Sequence, residues 1–563
     1  MDPQSGFCPS TRTFRSLRPP IPLPPEDAAV SFPSFAWSRL PSPLPAAHPA
    51  FVDASTGASL SFPALLARVR SLAAALRGGA LGVALAKGDV ALVLAPPSLD
   101  VPVLYLALLS LGAVVSPLSP VSAPADVARA VALCDPSVVF ATSATVGSRL
   151  PAAASGKVSV ILLDSPRFQS FLLHGHDDEP GAGAAAAAGV PVPTTPVEVV
   201  RQSDVAAIGY SSGTTGRTKA VAQSHSRLIA SALQHRSPPT RRTPGGPAVV
   251  TLLGVPMFHS YGFHMLLRGV LMAETTVVVT ATRGGAAAVL DAASRCGATQ
   301  MFVAPPVVAA MARGGGGVGP EGFPDLLRIV CGGAPLSTAA ASAFHERFPD
   351  IELFLALGST EGGVISNMVY REESHRIRSA GRLCSGVEAK VVDIISGELL
   401  STNEQGELCI RGPSVMLGYV GGDETSNQAF DSDGWLKTGD LCYFDEDGFL
   451  YVVDRLKDII KYKAYQVAPT ELEDVLHLIP GILDAAVISY PDEEVGQIPM
   501  AFVVRQNGSK NLTEDQIMEF VAKQVAPYKK IRKVCFVDSI PRLPSGKLLR
   551  RELHKHMTLN SRL

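Results

Sequence analysis

The chain has 563 residues, a formal net charge of -2 and an apolar content of 47%. This length exceeds what one hydrophobic core usually serves, so we predict two or more domains. The nearly neutral charge predicts no nucleic-acid partner. The eight cysteines are scattered without a Cys-x-x-Cys pair, which disfavours a zinc site or a disulfide framework and predicts reduced, mostly buried thiols.

The amino terminus carries three arginines and then becomes rich in proline at residues 19–25. This composition suits neither a secretory signal nor a transit helix, and it predicts a surface arm. The longest uncharged run, residues 101–125, has the length of a membrane span. Its prolines and Gly112 instead divide it into a short helix followed by a strand, so no transmembrane segment is predicted.

Apolar segments typical of buried strands alternate with helical segments along the first part of the chain. Strands are predicted at 87–97, with an apolar centre at 90–94, and at 137–141, and a helix is predicted at 62–76. This alternation indicates a parallel α/β sheet. Residues 174–196 consist mainly of Gly, Ala and Pro and are predicted to form a loop or flexible insertion. The glycine run 314–317 is predicted to be a further loop.

A polar loop follows the predicted strand 205–210. It reads Ser-Ser-Gly-Thr-Thr-Gly-Arg-Thr-Lys over residues 211–219. Its glycines allow a tight turn, its hydroxyls and backbone amides can donate hydrogen bonds, and Arg217 and Lys219 add positive charge. The spacing differs from that of a Walker loop. We predict a loop that binds polyphosphate, with a plain polar surface loop as the alternative.

Further apolar strands end in tight turns, at 256–262, 332–335 and 358–362. The ends of such strands are where α/β sheets bind ligands. Glu361 lies in the last of these turns. By residue type alone, it suits a magnesium ligand and an acid in the first turn of a helix about equally.

Seven motifs occur in order along the chain. They are the loop 211–219, Pro256-x-Phe-His259, Gly332-Gly-Ala-Pro335, Gly358-Ser-Thr-Glu361, Gly434-Trp-Leu-Lys-Thr-Gly-Asp440, Asp454-Arg-Leu-Lys-Asp-Ile-Ile-Lys461 and Pro544-Ser-Gly-Lys547. Together they closely resemble the acyl-adenylate-forming enzymes, specifically the plant 4-coumarate-CoA ligases and their relatives, which include the beetle luciferases. The resemblance extends over most of the chain.

The resemblance implies an α/β fold with two domains. The first, residues 1–454, would hold several subdomains with parallel sheets and a small β-barrel, and the second, residues 455–563, would be a small mobile α+β domain. The second range holds 17 basic against 13 acidic residues, so the net charge changes sign at that boundary. Strands are predicted there at 485–490 and 500–504, and a Thr-x-x-Gln capping pattern predicts a helix over 513–524.

The resemblance also implies a reaction in two steps. The substrate carboxylate attacks the α-phosphate of ATP to give an acyl-adenylate and pyrophosphate, and the thiol of coenzyme A then displaces AMP. Because the first step brings two anions together, it needs cations and Mg²⁺. The expected ligands are therefore ATP, Mg²⁺, coenzyme A and a small carboxylic acid.

Site residues follow from the matching motifs. The expected catalytic residues are Lys547, Lys461 and His259. The expected ATP- or AMP-binding residues are Ser211, Ser212, Gly213, Thr214, Thr215, Lys219, Ala356, Thr360, Asp440, Arg455, Lys457 and Gln466. The acid would be bound by Tyr261, Met265, Ala334 and Met368, and coenzyme A by Lys463, Ala464 and Arg283. Glu361 would be the magnesium ligand.

Two lysines are expected to serve different steps of the reaction. By resemblance, Lys547 bridges the acid and the α-phosphate during adenylation. Lys461 lies on the opposite face of the small domain and serves thioester formation, so the domain must rotate, with Lys457 as the hinge. Asp440 would accept the ribose hydroxyls, with Arg455 beside it.

Three positions depart from the ligase pattern. Thr218 replaces the usual proline of the phosphate loop, which loosens the backbone. Leu357 replaces an aromatic residue that stacks on adenine, an expected loss on the order of 1 kcal/mol. Ala464 replaces a glycine where the backbone approaches the pantetheine arm, which makes thioester formation the less secure step.

Three other functions remain open: a catalytically weakened adenylate-binding protein, a luciferase-like oxygenase and a carrier-loading adenylation enzyme. The acid also remains open among hydroxycinnamates, medium or long fatty acids and oxylipin precursors. The final Ser561-Arg562-Leu563 resembles the Ser-Lys-Leu peroxisomal address. It predicts recognition by the peroxisomal import receptor and location in the peroxisome, with the cytoplasm as the alternative.

Overall fold

The computed structural model shows an α/β protein with four β-sheets, which we call A to D, in the residues that it describes. Those residues are 1–42, 48–150, 158–173, 198–211, 218–235, 249–280, 284–314, 319–421, 428–463, 465–506, 508–509, 511–543 and 546–560.

Sheet A is mainly parallel. Its strands in spatial order are β17 (Arg382–Leu383), β16 (Gly363–Asn367), β15 (Glu352–Ser359), β14 (Arg328–Cys331), β13 (Gln300–Val303), β11 (Val250–Leu253), β12 (Thr275–Val278), β3 (Pro49–Asp53) and β4 (Ser59–Ser61). The strands from β15 across to β3 pair in parallel, whereas β16, β17 and β4 add antiparallel edges.

Sheet B has the same mixed design. Its strands in spatial order are β20 (Gly418–Tyr419), β10 (Lys219–Ser224), β9 (Val205–Ser211), β6 (Val114–Pro117), β5 (Val90–Leu94), β7 (Val138–Ala141) and β8 (Ser159–Leu162). The strands from β9 to β8 pair in parallel, and β10 and β20 are antiparallel.

Sheets C and D are mostly antiparallel. Sheet C has the order β1 (Phe7–Cys8), β2 (Thr13–Arg15), β18 (Glu388–Val392), β19 (Gly406–Arg411), β21 (Leu436–Phe444) and β22 (Leu450–Arg455). Sheet D has the order β24 (Tyr465–Val467), β23 (Ile460–Tyr462), β26 (Gly496–Arg505) and β25 (Ile482–Asp492), and β27 (Lys533–Phe536) pairs in parallel with β26.

The described helices cover the faces of these sheets. They are α1 (Phe32–Arg39), α2 (Phe62–Arg77), α3 (Asp100–Leu111), α4 (Pro124–Cys134), α5 (Ser143–Arg149), α6 (Pro166–Leu173), α7 (His225–Gln234), α8 (Ser260–Leu271), α9 (Gly285–Arg295), α10 (Pro305–Ala312), α11 (Thr338–Arg347), α12 (Pro469–Leu476), α13 (Glu514–Gln524) and α14 (Arg550–Asn560). In the part of the chain that is described, none is both long and apolar enough to cross a membrane.

The main core lies between sheets A and B. It is filled by α2, α3, α7 and α8, and α3 is apolar and buried almost all round. The outer face of sheet A packs on α9, α10 and α11, and that of sheet B on α4 and α5. Because parallel strands are covered on both faces, they appear in the sequence as continuous apolar runs. This arrangement confirms the predicted α/β fold and the predicted strands and helix of the first 150 residues.

The amino terminus is not the surface arm that its composition predicts. Strands β1 and β2 join sheet C, and Phe14 is completely buried, with its ring stacked on Phe444 at a centroid distance of 4.2 Å. Arg18 forms a buried ion pair with Glu373 at 2.7 Å. The surface prediction was wrong because the partners of these residues lie hundreds of positions later in the chain.

The carboxy-terminal residues have a core of their own, where sheet D packs on α12 and α13. The predicted strands are present and longer than expected, and the predicted Thr513–Gln516 capping box is formed at the start of α13. All eight cysteines are free, and five are buried, as expected. The proposed domain boundary at residues 454 and 455 falls at the end of β22 and stays a prediction.

Candidate active site

Glu361 lies in the tight turn that joins β15 to the antiparallel strand β16. It therefore does not begin a helix, which was one of the two readings of the sequence. Its Oε1 accepts hydrogen bonds from Ser211 Oγ at 2.7 Å and from the Tyr419 hydroxyl at 3.2 Å. These contacts hold the carboxylate at the end of β9, where the predicted phosphate loop begins.

The two ends of that loop meet beside Glu361. Ser211 ends β9 and lies opposite Lys219, the first residue of the antiparallel strand β10. The Lys219 Nζ lies over the Tyr419 ring, 4.4 Å from its centroid. Loop residues 212–217, and with them Ser212, Gly213, Thr214 and Thr215, lie outside the described residues, as do Arg283, Ala464, the insertion 174–197, the glycines 315–317 and the tripeptide 561–563.

Tyr419 was missed by sequence reasoning. Its ring and hydroxyl contact both the loop lysine and the expected magnesium ligand. The contact depends on the pairing of β20 with β10, two segments far apart in the chain. No local pattern around Gly418 and Tyr419 marks it.

Asp440 and Arg455 face each other across β21 and β22. The Arg455 Nε lies 2.7 Å from Asp440 Oδ1. Asp440 is buried, and this burial raises the pKa of its carboxyl against the opposing charges of Arg455 and Lys547. An ionised carboxylate held in this way can accept two hydroxyl hydrogen bonds. The predicted adjacency of Asp440 and Arg455 is confirmed, and their role with ribose stays a prediction.

Lys547 approaches the same residues from the carboxy-terminal part of the chain. Its turn is closed by a hydrogen bond of 2.8 Å from Leu543 N to Lys547 O. Gly546 has a φ of 80°, and a Cβ there would lie 2.7 Å from Pro306 Cδ at the start of α10. Only glycine lets the turn approach α10 so closely.

The surrounding charges locate the Lys547 ammonium near residues that are expected to bind the nucleotide and magnesium. Burial and the charges of Arg455 and Lys457 lower the pKa of Lys547 to about 8, against the attraction of Glu361 and Asp440. These four charges come from two different sheets and the segment after β22, so the ammonium lies where they converge. The structure thus brings together Lys547, Asp440 and Glu361, as the resemblance implies.

His259 caps the amino end of α8. Its Nδ1 accepts a hydrogen bond from Tyr261 N at 3.3 Å. Burial, and then the nearby Lys547 charge, lower the pKa of the imidazole, which keeps it neutral at physiological pH. A neutral ring with one nitrogen already engaged favours a positional role over acid-base catalysis.

The expected acid-binding residues gather near α8. Met265 and Met368 are fully buried in the main core, and Tyr261 packs against it, as does Ala356, which is expected to bind the nucleotide. The Tyr261 hydroxyl donates to Val330 O at 3.0 Å, so the main chain fixes the ring. A Cβ on Gly332 would lie 3.7 Å from that ring, whereas Ala334 is half-buried in the turn after β14. The surroundings of this ring are therefore apolar.

Lys461 and Lys463, which are expected to serve the second step, lie in the β23–β24 hairpin together with Gln466, which is expected to bind the nucleotide. Lys461 and Gln466 pair across the β23–β24 hairpin of sheet D, and Lys463 follows β23. All three are exposed, and Lys461 donates its backbone N–H to Gln497 Oε1 at 2.8 Å. Lys457 is exposed in the segment after β22. This hairpin belongs to sheet D, whereas Asp440 lies on β21 of sheet C.

Thr360 and Leu357 flank the Glu361 turn. Leu357 is half-buried and packs against the core of sheet C, so its contact with adenine stays a prediction. The carbonyl of Thr360 accepts a hydrogen bond from the Arg227 guanidinium of α7. Arg227 was also missed by sequence reasoning, because it lies in an amphipathic helix outside every motif.

Comparisons with known proteins agree with this site. A family model described as AMP-binding enzyme matches residues 43–420, and one described as AMP-binding enzyme C-terminal domain matches residues 471–547. The protein "4-coumarate--CoA ligase-like 6" of Oryza sativa subsp. japonica is 46% identical, covering 98% of this chain and 92% of its own. "Peroxisomal OPC-8:0-CoA ligase 1" of Arabidopsis thaliana is 41% identical, covering 100% and 99%.

The fold agrees as well. The crystal structure of ATP-bound MatB from Rhodopseudomonas palustris superposes with a TM-score of 0.80 at 24% identity, covering 93% of this chain and 98% of that one. The first family model includes the loop 211–219 and Glu361, and the second, which follows it in chain order, ends at Lys547. The chain belongs to the AMP-binding enzyme family, as an ATP-dependent acyl-CoA ligase of that type.

Proposed function

We propose that this protein joins a carboxylic acid with an apolar body to coenzyme A, through an acyl-adenylate, in the peroxisome. The main support for adenylation is that Lys547, Asp440 and Glu361 come from three separate parts of the fold and lie near one another. One cation and two carboxylates in a buried place supply what adenylation requires. The cation stabilises the anions that meet, and the carboxylates hold the ribose and a magnesium ion.

The residues present fit magnesium. Mg²⁺ prefers oxygen ligands and is usually held by one or two carboxylates together with substrate phosphates. Glu361 offers such a carboxylate, already oriented by Ser211 and Tyr419 at the mouth of the phosphate loop. When bound, the ion would neutralise phosphate charge. Lys219 would act on the same phosphates from the end of the loop.

The substrate is proposed from the walls around Tyr261. Met265 and Met368 are buried, apolar and flexible, which suits an acyl chain. The relative named "Peroxisomal OPC-8:0-CoA ligase 1" supports a fatty or oxylipin acid. The relative named "4-coumarate--CoA ligase-like 6" keeps a hydroxycinnamate as the second candidate.

The test is a pyrophosphate-release screen of the purified protein over hydroxycinnamates, medium and long fatty acids and cyclic oxylipin acids, each with and without coenzyme A. We expect release with at least one apolar acid and thioester only when coenzyme A is present. Release without any thioester would support a carrier-loading or oxygenase function. Nucleotide binding with no release from any acid would support a weakened binding protein.

The location depends on the last three residues. A fluorescent protein that carries residues 554–563 at its carboxy terminus should be found in peroxisomes, because the import receptor reads an exposed terminal tripeptide. The matched control changes Leu563→Asp in the same fusion and should stay in the cytosol. Equal distributions for the two fusions would contradict the peroxisomal address.

The lowered pKa of Lys547 predicts the pH dependence of the first step. Below pH 8 the free enzyme carries the ammonium, and above its pKa of about 8 the charge is lost. The value of kcat/KM for ATP in pyrophosphate release should therefore fall by about tenfold per pH unit well above pH 8. Lys547→Arg keeps its charge at every pH used and should show no such fall, whatever its absolute rate. A wild-type profile that stays flat to pH 10 would contradict this account.

A further inference from the structure

Arg227 is a buried cation directly behind the Glu361 turn. Only 1% of its surface is exposed, and one Nη donates to the carbonyl oxygen of Thr360. Its Nε and second Nη have no hydrogen-bond partner among the described residues. An isolated buried guanidinium is costly, so its position calls for a compensating interaction. The nearby Glu361 carboxylate attracts it.

The other main-chain groups of the turn are fixed by different elements. The Glu361 carbonyl accepts from Met416 N at 2.7 Å, and Gly362 N donates to Ser359 Oγ at 2.8 Å. The Thr360 side chain also packs tightly against β9 of sheet B. A Cβ on Gly209 of that strand would lie 2.9 Å from Thr360 Cγ2. Arg227 is the contact that holds the turn from the side of α7.

The hydrogen bond acts on the direction of Glu361. The Thr360 carbonyl and the Glu361 amide belong to one planar peptide unit, so fixing the carbonyl fixes the direction in which the chain enters Glu361. The side chain then meets Ser211 and Tyr419 at the distances observed. Without the bond from Arg227, only the contacts with Ser211 and Tyr419 would orient the carboxylate.

We propose that Arg227 is a positioning residue that sets the orientation of Glu361 for the metal-nucleotide complex. The inference rests on the proposed function, in which Glu361 is the magnesium ligand. Arg227 does not touch the nucleotide in this account. It acts through the Thr360 carbonyl, which its hydrogen bond holds in place.

The test uses two variants of Arg227. Arg227→Met keeps the length and removes the charge and the donors, whereas Arg227→Lys keeps the charge and a donating ammonium group but loses the planar guanidinium. The magnesium concentration for half-maximal pyrophosphate release should rise at least about tenfold in Arg227→Met, the usual range for groups that orient a metal ligand, and less in Arg227→Lys. Calorimetry of ATP binding should show that adding Mg²⁺ increases the affinity less in Arg227→Lys than in the wild type, and least in Arg227→Met.

Two controls separate an effect on the orientation of Glu361 from an effect on the stability of the protein. Ser231→Ala changes another buried polar residue of α7, one turn further on, and should leave the magnesium requirement unchanged. Half-saturation does not depend on the concentration of active protein, so partial unfolding leaves the comparison valid. Lower melting temperatures with an unchanged magnesium requirement in both Arg227 variants would overturn the inference.

Glu361→Gln separates this inference from the proposed function. If Glu361→Gln raises the magnesium requirement and the Arg227 variants do not, only the role of Arg227 is wrong. If Glu361→Gln also leaves the requirement unchanged, the magnesium site itself is wrong, and the inference fails with it.

Discussion

Lys547→Ala should abolish pyrophosphate release while the variant still converts a supplied acyl-adenylate to the thioester. The ammonium lies among Asp440, Glu361 and Arg455, where the carboxylate and the α-phosphate are proposed to meet. Loss of a charge that stabilises the transition state of a single step typically costs roughly 10²–10³-fold in that step. The second step has no such meeting of anions, so it should be nearly unaffected.

Lys461→Ala is the matched variant, and we expect it to impair thioester formation but not pyrophosphate release. Its side chain is exposed on the β23–β24 hairpin, whereas the Lys547 turn is packed on Pro306. If the small domain rotates between the steps, Lys461 is at the site only when coenzyme A reacts. We therefore expect near-normal pyrophosphate release and a large loss of thioester from supplied adenylate.

The two half-reactions must be measured separately for both variants. If the lysines are ordinary surface cations of a basic domain, both variants should show small and similar effects. If the domain keeps one orientation throughout, each variant should lose both activities to the same extent. Either pattern would refute the rotation.

Asp440→Asn should weaken ATP binding strongly. Hydrogen bonds to a charged group contribute about 1.5–3 kcal/mol each, so the loss of two ribose contacts to an ionised carboxylate should raise the Kd for ATP by roughly 100-fold. The substitution keeps the size of the side chain. Arg455 is partly exposed, so water can solvate it when its partner loses charge.

A modified nucleotide makes this prediction specific. The wild-type protein should bind 2′-deoxy-ATP more weakly than ATP. Asp440→Asn should hardly distinguish the two nucleotides, because the carboxylate that accepts the hydrogen bond from the 2′-hydroxyl is absent. Asp433→Asn changes an exposed acid seven residues earlier and serves as the control, with normal ATP binding expected. Equal discrimination against 2′-deoxy-ATP in wild type and Asp440→Asn would place the ribose elsewhere.

Local patterns predicted the elements of the fold well. The strands at 90–94 and 205–210 are continuous apolar runs because both faces of sheet B are covered, so their signal lies within a few residues. The capping box at Thr513 is local for the same reason. The adjacency of Asp440 and Arg455 was predicted from the family resemblance, and it arises because the antiparallel strands β21 and β22 pair at these two residues.

Contacts between distant segments could not be predicted. Phe14 is buried by Phe444, and Tyr419 meets Glu361 only because β20 adds to β10. Arg227 carries no signal at all, since an arginine in an amphipathic helix is usually at the surface. Three-dimensional neighbours, rather than residue type, give these side chains their roles.

The placement of β2 in sheet C also constrains the order in which the chain folds as it is synthesised. Its partner β18 begins at Glu388, so the ribosome must add several hundred residues before that pairing can form. At typical synthesis rates this takes on the order of a minute. During that time Phe14 can contact Phe7 but not Phe444 or β18, so its ring is open to chaperones or to other nascent chains. Expression at lower temperature, or with slower initiation, should therefore favour soluble protein.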